Sequence, residues 1–100
     1  MMLKEKKNLV KLIPNNSIIN TLNEKIIELK KIILNIEYNV NKAEIVGYSI
    51  KFEYAKSDLT ESIEKAYQSG QIDEEIYQSL MKQVDKLANL EKESAKKLGV

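Results

Sequence analysis

The run Ser17-Ile18-Ile19-Asn20-Thr21-Leu22-Asn23-Glu24-Lys25-Ile26-Ile27-Glu28-Leu29-Lys30-Lys31-Ile32-Ile33-Leu34-Asn35-Ile36 decides how this chain folds. Ile19, Leu22, Ile26, Leu29, Ile33, Ile36 and Val40 recur at alternating spacings of three and four, which a helix gathers into one stripe. The periodicity predicts a helix over about residues 17–39, its apolar face widened by Ile18, Ile27, Ile32 and Leu34. Ile before Leu in Ile19/Leu22 and Ile26/Leu29 suits a two-stranded coiled coil, and a bundle core would write nearly the same stripe.

Upstream, Pro14-Asn15-Asn16-Ser17 reads as a break and a cap, so residues 1–14 form a separate basic segment that admits a short helix over 3–13. Lys4, Lys6, Lys7 and Lys11, set against Glu5, give that segment a charge of +3, and they interleave with Leu3, Leu9, Val10, Leu12 and Ile13. An amphipathic basic stretch of this kind suits an anionic membrane surface or an acidic partner, and equally a docked terminus.

Downstream, Asn41 and Glu44 have the spacing of a capping box and predict a new helix over about 42–69. Ile45, Tyr48, Phe52, Ala55, Leu59, Ile63 and Ala66 form its stripe. Tyr48-Ser49-Ile50-Lys51-Phe52-Glu53-Tyr54 also alternates apolar and polar with period two, so an α+β alternative with a strand near 48–54 competes. The helix is preferred, because the available partner strand, Leu9 to Ile13, is short and a two-stranded ribbon is marginal. Gly70 then stands where a left-handed C′ residue is wanted, and Asp73 caps a last helix over about 73–97. Ile72 and Tyr77 have hydrophobic-staple spacing, and Ile76, Tyr77, Leu80, Val84, Leu87 and Ala88 point inward. The expected architecture is a single all-α domain over residues 1–100, an antiparallel three-helix bundle.

Composition limits the chemistry. The chain has no Cys, His, Trp or Arg, and its sixteen Lys face fifteen acids for a net charge of +1. Without Cys and His there are no disulfides, no thiol or imidazole nucleophile systems, and no ordinary zinc, iron or copper ligand set. The near-neutral balance and missing Arg lower the prior for nucleic acid, because counterion displacement and guanine reading both favour an arginine-bearing basic surface. No apolar run approaches the roughly 20 residues of a membrane span, and the N-terminal apolar stretch is too short and interrupted for a signal h-region. The expectation is a soluble cytoplasmic chain.

Glu24/Glu28, Glu61/Glu64 and Glu74/Glu75 are the closest carboxylate sets, and each reads as a solvated face or a helix N-terminus. Tyr48, Phe52, Tyr54, Tyr67 and Tyr77 are most simply core-edge residues, though the first three crowd around Gly47, which lets another backbone approach. No catalytic, cofactor-binding or metal-ligating set is expected. The candidate interaction surface is Ile19, Leu22, Ile26, Leu29, Ile33 and Ile36 with Tyr48, Phe52 and Tyr54, and the candidate basic segment is Lys4, Lys6, Lys7 and Lys11. These point to a non-enzymatic protein–protein interaction or oligomerisation protein, with a second copy of the chain, paired through helix 17–39, as the expected partner. A nucleic-acid accessory or viral structural role is the alternative.

The run Glu64-Lys65-Ala66-Tyr67-Gln68-Ser69-Gly70-Gln71-Ile72-Asp73-Glu74-Glu75-Ile76-Tyr77-Gln78-Ser79-Leu80 resembles the helical hairpin of the SHOCT domain, which implies an oligomerisation or interaction element. In length, in helix spacing and in the turn Ile72-x-x-Glu75-x-Tyr77-Gln78-x-Leu80, the chain is similar to class II bacteriocin immunity proteins. That resemblance implies a cytoplasmic four-helix bundle that protects a producer from its own peptide.

Overall fold

The computed structural model describes residues 2–96, with side chains described from Ser17 to Lys96. Three helices account for nearly all of them: α1 (Met2–Glu37), α2 (Lys42–Gln68) and α3 (Glu74–Ala95), and there is no strand among the described residues. Each helix packs on both others, giving an up-down-up bundle.

The first boundary differs from the sequence expectation. Backbone helix runs unbroken from Met2 through Pro14 to Glu37, so the segments expected as 3–13 and 17–39 are one element. Proline removes one hydrogen bond and crowds the preceding turn, but its fixed φ near −65° is itself helical, so it weakens a helix without forcing the chain to leave it. Ser17 is accordingly not a cap: its carbonyl accepts a hydrogen bond from Thr21 Oγ1 at 2.9 Å.

The other two boundaries follow from local chemistry. In the turn after α1, Asn39 Oδ1 accepts from the Asn41 amide at 2.9 Å, and Asn41 Oδ1 accepts from the Glu44 amide at 3.0 Å. Asn41 is thus a true N-cap, while Asn39 satisfies the Asn41 amide that a full capping box would leave to the Glu44 carboxylate. At the α2–α3 corner Gly70 takes φ +79°, the Gln71 amide reaches Ala66 O at 2.9 Å and the Gly70 amide reaches Tyr67 O at 3.1 Å. This is a Schellman stop. Asp73 Oδ1 then accepts from the Ile76 amide at 2.9 Å and starts α3. Ile72, between stop and start, is buried in the core, and Tyr77 packs against that core.

The core lines the bundle axis. Leu22, Ile26, Leu29, Ile32, Ile33 and Ile36 enter it from α1, Ile45, Phe52, Leu59, Ile63 and Ala66 from α2, and Leu80, Val84 and Leu87 from α3. Ile32 and Ile33 are consecutive, so their side chains leave the helix about 100° apart, and both are buried because α1 packs against α2 and α3 alike. Burial of such side chains contributes about 2 kcal/mol each, so the stripe on α1 makes the largest contribution of any one helix. The Lys25–Asp58 bridge between α1 and α2 (2.6 Å) is solvent-exposed and contributes at most about 1 kcal/mol.

The strand alternative at 48–54 is resolved by α2. Tyr48 and Phe52 lie one helical turn apart on the core side, while Ile50 and Tyr54 lie one turn apart on the outside. Two interleaved i, i+4 pairs on opposite faces write an alternating sequence.

Candidate functional site

The nine residues that periodicity marks as an interaction surface separate in the structure. Leu22, Ile26, Leu29, Ile33, Ile36 and Phe52 are buried in the chain's own core, and Ile19 and Tyr48 pack half-buried against it. The stripe on α1 is therefore closed by α2 and α3 and is not a free seam for a second copy. Tyr54 alone stands outside, 75% exposed. Lys4, Lys6, Lys7 and Lys11 lie outside the residues whose side chains are described.

The sequence places Gly47 beside Tyr54 as a point of close approach, but it does not mark Ala43, Val46 or Ile50 as part of that surface. Val46 (46% exposed) and Ile50 (54%) share the outward face of α2 with Tyr54, together with Ala43 and Gly47. Ala43, Gly47, Ile50 and Tyr54 follow one another at spacings of four, three and four, which is a second heptad seam on the side of α2 opposite the core. Its signal in the sequence is masked by the stronger inward set beginning at Ile45 and Tyr48, since a helix apolar on two faces shows no single stripe.

Gly47 sits at the middle of this face. Its φ is not positive, and a methyl group built on it meets nothing within 4 Å among the described residues, so neither backbone geometry nor packing among those residues calls for glycine there. Beside it, Glu44, Tyr48, Ile50, Lys51 and Tyr54 complete the lining of a shallow depression. Neither Glu44 nor Lys51 forms an ion pair within the described chain. Val40, in the turn leading into α2, is almost fully exposed.

Two other places have a definite structure. Along the α1–α3 seam, half-exposed Leu34 and Leu90 border a groove over Ile33 and Leu87. At the α2–α3 corner, the Tyr67 and Tyr77 rings stack with centroids 4.4 Å apart, and Tyr77 Oη donates to Glu64 Oε1 at 2.6 Å. That bond to a carboxylate, with partial desolvation, raises the Tyr77 hydroxyl above its ordinary pKa. Of the acidic sets, Glu64 is engaged in this corner, Glu61 pairs with Lys65 on the surface, and Glu74 and Glu75 occupy the exposed first turn of α3. Glu24 and Glu28 are exposed on α1.

Among the described residues, no group of three or more acidic side chains converges in a way that could hold a metal ion. No helix among them is long and apolar enough to cross a membrane. Comparison with family models, with curated proteins and with solved structures finds no match to this chain.

Proposed function

We propose that this chain is a non-enzymatic interaction module whose working surface is the outer face of α2. One observation carries the reading: Val46, Ile50 and Tyr54 stand together on the side of α2 turned away from the core, around a glycine the bundle itself does not use. Bulky apolar side chains grouped on one face are an association surface in the making, since each remains hydrated until something covers it. An amphipathic helix face of this length is read by another helix laid along it.

A photo-crosslinking residue at position 54, compared with one at Glu28 on an exposed polar position of α1, tests this in the native host. Covalent protein adducts at 54 and none at 28 are the expected result. An absence of adducts at 54 refutes the interaction reading.

A further inference from the structure

Building on the interaction reading, we infer that the outer face of α2 pairs with the same face of a second copy of this chain, the two helices running antiparallel. The seam is complementary to itself in that orientation. Setting Gly47 of one copy opposite Ile50 of the other brings Ala43 opposite Tyr54, and the two-fold axis repeats both layers. Every layer then opposes a small residue to a large one. Ile50 fills the space over Gly47, where a Cβ would otherwise stand in the open, and Tyr54 lies over Ala43 and the exposed Val40.

The same alignment settles the flanks. Glu44 and Lys51 are equivalent positions seven residues apart on one side of the seam, so each Glu44 meets Lys51 of the second copy, twice over. On the other side the aliphatic stem of Glu53 crosses Val46, and its carboxylate keeps its 3.3 Å pair with Lys56. A parallel pair has none of these advantages. It would stack Gly47 on Gly47 across a void and leave Glu44 without Lys51 of the second copy.

Gly47 is the strongest part of the case. Glycine in a helix interior costs about 0.5–1 kcal/mol relative to alanine, and the isolated bundle offers no return for it. Close approach of a second α2 gives the residue its use. A seam of three helical turns is small for a protein interface, so the association is weak and reversible.

Sedimentation of the purified full chain up to millimolar concentration tests the inference. Reversible dimerisation of the wild type is expected. Gly47→Leu should lower the association constant by about tenfold or more, the effect of one central position, while its monomer remains as helical as the wild type by circular dichroism. Lys51→Glu should weaken dimers at low salt, and Glu44→Lys combined with Lys51→Glu should restore them. Spin labels at Glu61 of the two copies should lie about 40 Å apart for antiparallel helices and within about 15 Å for parallel ones. A wild type that stays monomeric at millimolar concentration, a Gly47→Leu variant that dimerises as well as the wild type, a double charge variant that fails to rescue, or a short label distance each overturns it. Adducts at position 54 with a monomeric purified chain would refute self-pairing and leave the interaction reading standing.

Discussion

Gly47 and Gly70 lie in the same helix and its stop, yet the same substitution should act on them with opposite sign. Gly70 holds φ +79°, which an L side chain enters at a cost of about 1–2 kcal/mol, so Gly70→Ala should destabilise the bundle by about 1 kcal/mol. Gly47→Ala, at dilutions where the chain is monomeric, should stabilise it by about 0.5–1 kcal/mol. Urea unfolding of the two variants checks both signs. Tyr77 supplies a residue-scale pH effect. Its folded pKa is raised by the bond to Glu64, so the stabilisation linked to it is fully present below the ordinary tyrosine value of about 10 and is lost as pH rises through the folded value. Alkaline titration followed by tyrosinate absorbance should show one late-ionising tyrosine, absent in Tyr77→Phe. Sequence spacing placed Tyr77 at a staple position, but its bond to Glu64 joins residues 13 apart across a turn, and spacing within one helix does not encode that.

At the scale of elements, the boundaries that depend on short-range hydrogen bonds were readable in advance. Asn41 and Asp73 each cap through their own side-chain oxygen three residues ahead, and Gly70 closes a Schellman motif within six residues. Asn41→Ala and Asp73→Ala should each cost about 1 kcal/mol, measured by thermal unfolding, whereas Glu44→Ala should leave the cap intact because Asn39 satisfies the Asn41 amide. Pro14 is where local reading misplaced a boundary. A proline raises the cost of a helix without fixing where the helix ends, so the sum of favourable turns on either side decides.

For the whole molecule, the distinction that matters is between the two apolar faces of α2. Phe52→Ala opens a cavity at the centre of the core and should cost about 3–5 kcal/mol, seen as a large loss of stability by denaturant unfolding. Ile50→Asn, two residues away on the outer face, should change monomer stability by less than about 0.5 kcal/mol. The sequence by itself determined the helical class, the caps and turns, and the strength of the stripe over 17–36, because helix periodicity and capping are governed by neighbours within a few positions. What the stripe packs against depended on the tertiary structure, since a dimer seam and an internal bundle core demand the same spacing of Ile and Leu. Once α2 and α3 close over α1, Ile27 and Leu34 of α1 and Leu90 of α3 stay half-exposed, and Val46, Ile50 and Tyr54 on the outside of α2 become identifiable as a grouped surface because burial, unlike periodicity, separates one face of a helix from the other.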